Sequence, residues 1–181
     1  RLGNFADWYR HLSLSAPDRI HALTEDLSDR LPGFVGLRFR EAGDGKILFA
    51  EFEAEAGGKV ALRFGALSDG QKALVGLYTI LRTLPDKGAV LCIDEPENFL
   101  ALPEIQPWLD ELNDVVEDRE CMVLMISHHP RLLNFLAAEQ GLWLERMDGK
   151  GHTRVYPIAA KGEGGLAMDE LIERGWIHGA G

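Results

Sequence analysis

Two stretches carry residue types and spacing that could do chemistry: Leu67-Ser68-Asp69-Gly70-Gln71 and Asp94-Glu95-Pro96-Glu97-Asn98. The first lies just before Lys72-Ala73-Leu74-Val75, where helical spacing takes hold through Leu74, Leu77 or Tyr78, and Leu81. A helix start presents unpaired N–H groups and a partial positive charge, so it can accept an anion. Gly70 would let that anion come close to the backbone, and Ser68 could add a hydroxyl. Taken alone, the turn reads first as a serine cap on a helix with no ligand at all, and only the acidic pair downstream reverses that preference.

The second stretch closes the apolar run Ala89-Val90-Leu91-Cys92-Ile93. In parallel α/β sheets, ligands gather at the carboxyl ends of strands, where Asp94 and Glu95 would stand. If the strand continues, the two carboxylates point to opposite faces and cannot share one job. One can hold magnesium through its water shell, and the other can orient or deprotonate a water. An acidic pair can also end a strand by chance. The apolar residues before it and Pro96-Glu97-Asn98 after it favour function. Together the two stretches read as parts of a nucleotide-hydrolysing site. A third feature is Ser127-His128-His129-Pro130 after the apolar run 121–126. A histidine there can hydrogen-bond a terminal phosphate, and His128, nearer the strand tip, is preferred to His129. Two neighbours on a chain turning at proline rarely converge on one metal ion, and a surface histidine without a role is the simpler alternative.

The elements that must position these residues follow from periodicity. Residues 4–31 read as helical, with Ser15 capping a segment whose Ile20, Leu23, Leu27 and Leu31 share a face. The polar face of that segment reads as solvated. From Phe34 to Phe64 the period falls to two, and Gly43-Asp44-Gly45 and Gly57-Gly58 supply turns, so a three-stranded antiparallel meander is expected. After Leu67 helices near 69–84, 103–118 and 130–139 alternate with apolar strands near 89–94 and 122–127. That grammar predicts a parallel sheet covered on both faces. Strands near 142–147 and 153–158 form a hairpin about Asp148-Gly149-Lys150-Gly151, and a short helix is expected over 166–174. In the helix near 103–118, Asp110, Glu111 and Asp114 read as solvated opposite an apolar face of Trp108, Leu109, Leu112 and Val116.

Composition sets limits. The chain has 181 residues, 46% hydrophobic and 27% charged, as ordinary globular proteins do. No apolar run approaches the roughly 20 residues of a membrane helix. A net charge of −10 argues against a stand-alone surface gripping nucleic acid, though not against a local patch or a site completed by another lobe. Cys92 and Cys121 sit in apolar runs without zinc spacing and read as reduced core residues of a cytoplasmic protein. Starting at Arg1 without a leader, the chain reads as a piece of a longer polypeptide.

In order and spacing, 67–71, 90–98 and 127–128 resemble the signature motif, Walker B strand and switch histidine of ABC-type ATPases. Asp69 within the signature, Asp-Glu-Pro-Glu-Asn and Ser-His-His-Pro resemble the SMC-like and overcoming-lysogenization-like ATPases of the AAA family rather than transporter domains. The match is close over about 67–136 and general over 1–66. The resemblance implies an α/β P-loop ATPase head of ABC type: residues 1–66 as helices and meander, 67–181 as the C-terminal ATPase lobe. It implies ATP and Mg2+, with Asp94 serving the metal and Glu95 as general base or water-orienting residue. Ser68, Asp69, Gly70 and Gln71 would form the turn that meets the nucleotide of a partner protomer. Glu97 and Asn98 would begin a loop that communicates between protomers, with Asn98 among the nucleotide-binding residues, and His128 would be the switch residue. Roles in DNA repair, chromosome maintenance or defence against mobile elements would follow, with nucleic acid met through the full protein.

One departure is large. A P-loop needs Gly-x-x-x-x-Gly-Lys-Ser/Thr, and the sequence contains none. Gly45-Lys46 and Gly58-Lys59 precede strands and read as hairpin turns. The phosphate loop and the family's Q-loop glutamine are therefore expected on an N-terminal lobe, with activity only in a head-to-tail homodimer of the completed protein. Two rivals stay open: a non-catalytic binding module of the same fold, and a transporter's ATP-binding subunit.

Overall fold

The computed structural model describes residues 3–43, 45–129, 132, 141–146 and 151–157. It divides into two compact units, Arg1–Met125 and Ile126–Gly181.

The first unit opens with helices α1 (Phe5–Ser15) and α2 (Pro17–Arg30). Sequence reading placed the start of α2 at Ser15, but Ala16 stands at the cap and Pro17 begins the helix. Ser15 closes α1 instead, its hydroxyl donating back to the His11 carbonyl at 2.9 Å. Proline's fixed φ suits the first helical position whatever precedes it, so no side-chain cap is needed there. Leu23, Leu27 and Leu31 are buried as their spacing required, and Ile20 is half-buried.

Next come β1 (Phe34–Ala42), β2 (Gly45–Glu53) and β3 (Lys59–Arg63), paired antiparallel in the order β1-β2-β3. This is the expected meander. With a register shift between Phe34 and Gly36, the buried residues of β1 are Phe34, Gly36 and Leu37, and Val35 and Phe39 are only half-buried. Phe64, expected to continue the β3 alternation, turns into a short 3-10 segment and stacks on Phe5 with ring centroids 4.7 Å apart. On β2 the Glu51 carboxylate takes hydrogen bonds from Arg40 at 2.9 Å and Arg38 at 3.1 Å. The Arg40 hydrogen bond chiefly holds its carboxyl below the ordinary glutamate value; burial opposes, and the charges of Arg38, Arg40 and Lys59 assist. A folded-state value below the unfolded one stabilises at neutral pH, and that contribution is lost as pH falls through the folded value. Thermal melts from about pH 6 to about pH 3 should therefore show a flatter acid limb for Glu51→Gln than for the native protein.

Helix α3 (Asp69–Thr83) buries Leu74, Leu77, Tyr78 and Leu81 against α2 and α4 (Leu102–Arg119). The helix α4 buries Ile105, Trp108, Leu109 and Leu112, while Val116 is half-buried. Between α2, α3 and α4 lies an ion network that sequence reading missed. Arg82 grips Asp26 with two hydrogen bonds and reaches Glu111 at 2.9 Å. Arg30 pairs with the other oxygen of Glu111, donates to the Tyr78 hydroxyl and lies over its ring. Burial pushes the Tyr78 phenol up, against the pull of Arg30. Glu111 and Asp26 are thus not solvated as expected; Asp110 and Asp114 are exposed. Helical spacing marks the side of a charge but not the arginines two other helices bring to it.

Strands β4 (Val90–Asp94) and β5 (Met122–Ile126) pair with each other and are joined through α4, the long connection that parallel neighbours need. The expected sheet covered on both faces is not what the described residues form. Leu91, Ile93, Val123 and Met125 are half-buried, whereas Val90, Met122 and Leu124 are 62%, 60% and 53% exposed. Cys92 shares that open side and is exposed; Cys121 is half-buried. Neither is the enclosed core residue that its apolar run foretold.

In the second unit, β6 (Leu142–Glu145) and β7 (Arg154–Pro157) pair antiparallel, as the expected hairpin requires. The helix expected over 130–139 lies outside the described residues except for Leu132, which is helical and buried. The tail and the helix expected over 166–174 also lie outside them. Among the described residues no helix is long and apolar enough to cross a membrane.

Candidate functional site

The serine–glycine turn is built as a reciprocal helix cap. Ser68, in extended conformation, accepts the Gln71 N–H at 3.2 Å through its hydroxyl oxygen, and the Gln71 side-chain oxygen accepts the Ser68 N–H at 3.0 Å. Asp69 pairs with Lys72 at 3.1 Å. These contacts give Ser68, Asp69 and Gln71 local duties at the head of α3. The Ser68 hydroxyl keeps its own proton to donate, since in the cap it only accepts. Leu67 is buried, whereas Ser68 and Asp69 are exposed, so the polar part of the turn faces outward on an apolar anchor.

The acidic stretch is a knotted turn rather than a continuing strand. Asp94 ends β4 and is exposed. Glu95 has φ +48, so the chain bends there, and the expectation of opposite faces lapses with the strand. The Glu95 carboxylate accepts a hydrogen bond from the Asn98 amide at 2.7 Å, and its carbonyl accepts the Asn98 N–H at 3.1 Å. The Leu100 N–H donates to the Glu97 carbonyl at 3.0 Å. Pro96 and Glu97 are buried beneath. Phe99 has φ +71 and is 73% exposed. A bulky residue in the left-handed region is strained and persists only where its surroundings hold it.

The two turns meet. An atom placed where a Cβ of Gly70 would lie stands 2.8 Å from the Phe99 carbonyl oxygen. The first unit thus brings Ser68, Asp69, Gly70 and Gln71 against the turn that carries Glu95 and Asn98, residues far apart in sequence. Sequence reading did not single out Phe99. The only signal available was an aromatic residue inside an otherwise polar turn.

His128 and His129 belong to the second unit. His128 is exposed. The His129 N–H donates to the Ser127 hydroxyl oxygen at 3.1 Å, and its Nδ1 is buried with no hydrogen-bond partner among the described residues.

Residues 1–134 match a family profile described as "AAA domain, putative AbiEii toxin, Type IV TA system". The chain belongs to this AAA-domain family. No curated protein matches it. Solved structures do match the AAA-domain chain. One comes from work on the "Structural biochemistry of ATP-driven dimerization and DNA stimulated activation of SMC ATPases", with a TM-score of 0.62, 15% identity, and 94% of this chain covering 99% of that one. An Smc head bound to the C-winged helix domain of ScpA has a TM-score of 0.55 and 15% identity, over 77% of this chain and 43% of that one. The Smc head domain of Pyrococcus yayanosii, with its coiled coil and joint, has a TM-score of 0.56 and 18% identity. There the match covers 87% of this AAA-domain chain and 29% of the other. At such identities the likeness is one of fold: an α/β arrangement like SMC and ABC ATPase heads.

Magnesium, which such folds imply, can be tested against the donors in this AAA-domain chain. Among the described residues no three His, Cys, Asp or Glu side chains gather into a cage. Asp94 instead offers one exposed, hard oxygen donor at a strand end. One carboxylate is not a site by itself: magnesium keeps several waters and is held by one or two carboxylates together with substrate phosphates.

Proposed function

We propose that this chain supplies the serine–glycine turn and the acidic turn of an ATP-hydrolysing head, completed by a lobe bearing a phosphate loop and by head-to-tail pairing of two such heads. The observation that carries the reading is the pair Asp94 and Glu95 at the carboxyl end of β4, in a chain whose residues 1–134 match an AAA-domain family. Residues 67–181 would be the C-terminal ATPase lobe and 1–66 its helices and meander. The open apolar side formed by Val90, Met122 and Leu124 supports a further layer, since such a face is costly in water.

In this reading the Ser68 hydroxyl and the backbone N–H of Gly70 meet the γ-phosphate of ATP bound to the partner protomer, while Asp69 and Gln71 hold the turn in shape. Glu95 orients the attacking water and accepts its proton, and Asn98 steadies that carboxylate. Asp94 would hold magnesium, which supplies neutralisation of phosphate charge when bound. His128 would hydrogen-bond the terminal phosphate and sense its loss. The likeness to SMC ATPases described by DNA-stimulated activation supports work on nucleic acid through the full protein; a role in DNA repair or mobile-element defence and a cytoplasmic location are part of the same proposal.

If each site needs both protomers, turnover by the complete protein should rise with the square of its concentration below the dimerisation constant. A strictly first-order dependence down to the lowest measurable concentration, or full turnover by residues 1–181 alone, would count against the composite site.

A further inference from the structure

Gly70 has ordinary helical φ, so its backbone does not demand glycine; the space beside it does. The position of its missing Cβ lies 2.8 Å from the Phe99 carbonyl oxygen and 3.8 Å from Leu100 Cδ2. The first neighbour is backbone and cannot swing aside as a side-chain tip would. Helix propensity alone would favour alanine at this position. The carbonyl that blocks it belongs to a turn under strain at both ends, with Glu95 at φ +48 and Phe99 at φ +71. Two backbone hydrogen bonds and the amide–carboxylate contact of Asn98 with Glu95 knit that turn into one piece. A push on the Phe99 carbonyl therefore does not stop at residue 99. It reaches the Glu95 carboxylate through Asn98, its immediate neighbour.

We infer that Gly70 is a positioning residue for Glu95 of the same chain: its bare Cα seats the Phe99 carbonyl, and that seat fixes the turn on which the carboxylate is held. This role is separate from any contact of the serine–glycine turn with a partner's nucleotide, although its catalytic consequence rests on Glu95 being the water-orienting group. It also gives the turn a second use. Whatever displaces the head of α3 when the turn is occupied will move Glu95, so occupancy and water positioning are mechanically linked within one protomer.

The test uses the complete protein with three variants, Gly70→Ala, Glu95→Gln and the double. Amide exchange at Asn98 and Leu100 reports on the turn directly, and ATP turnover reports on its consequence. In Gly70→Ala both amides should exchange faster without nucleotide, and kcat should fall on the order of tenfold to a hundredfold, in line with the loss expected from a misplaced reacting group. The double variant should turn over no more slowly than Glu95→Gln, because Gly70 acts through that carboxylate. Unchanged exchange at both amides would overturn the inference, as would losses that multiply in the double variant. If Glu95→Gln alone left turnover intact, the catalytic reading would fail while faster exchange still upheld the seat. Should Gly70→Ala not fold, Phe99→Pro approaches the contact from the other side. Its φ cannot reach +71, so the same carbonyl must move with Gly70 intact, and it must give the same loosening and the same lack of additivity.

Discussion

Replacing Glu95 with glutamine in the complete protein should lower ATP turnover on the order of a hundredfold or more, the usual range for removing a positioned base. Glutamine keeps the size of the side chain and one carbonyl oxygen, so it can still accept the Asn98 amide hydrogen bond that glutamate accepts at 2.7 Å. The turn should therefore stand, and the loss should fall on the chemical step rather than on the fold. ATP should still bind, because the lobe bearing the phosphate loop is untouched, and with Ser68 and Gly70 also intact the paired form should persist longer than in the native protein. Turnover measured beside nucleotide-dependent dimerisation separates these effects. Loss of dimerisation with turnover would mean the substitution had broken the turn. Unchanged turnover would remove Glu95 from the reaction. Asp94→Asn offers a contrast: it should raise the magnesium concentration needed for half-maximal turnover, which Glu95→Gln should leave nearly alone.

Much of the scaffold around that carboxylate was legible because it follows from local rules. The spacing of Leu74, Leu77, Tyr78 and Leu81 announced α3, and all four are buried. The glycine pairs after Ala42 and Ala56 announced the two hairpins of the meander. Three other features were not legible, each for a physical reason. Asp26 and Glu111 looked solvated because helix periodicity assigns a face but not a partner; Arg82 reaches both from a third helix. Cys92 looked buried because its run is apolar throughout, yet burial needs a covering layer, and the described residues leave that side of β4 open. Gly70 was read for the approach of an anion; its seat under the Phe99 carbonyl is a contact across nearly thirty residues that no local pattern encodes. The motifs were readable as a set; their mutual support was not.

Trp108 should be the most costly single residue to remove. It is fully buried in the face of α4 that meets α3, and its indole N–H donates to the Leu77 carbonyl at 2.9 Å. Trp108→Ala leaves a cavity walled by two helices whose ends are otherwise tied; Arg19 and Arg119 both donate to the Leu84 carbonyl. Those ties resist collapse, so the loss should reach about 3–5 kcal/mol, a large share of the roughly 5–15 kcal/mol that holds a typical domain together. Trp108→Phe keeps most of the apolar contact and gives up the indole hydrogen bond, and should cost only about 1–2 kcal/mol. Urea unfolding of both variants gives the comparison, and similar losses would mean that the hydrogen bond rather than the packing dominates. The position also bears on the site. The turn from Glu95 to Leu100 leads directly into α4, and Gly70 heads α3, so α3–α4 packing sets the distance between the two turns. Trp108→Phe should therefore leave amide exchange at Asn98 and Leu100 close to native. Trp108→Ala should speed it at temperatures well below the midpoint of unfolding, because loosening two helices frees the seat between their N-termini before the rest of the unit gives way.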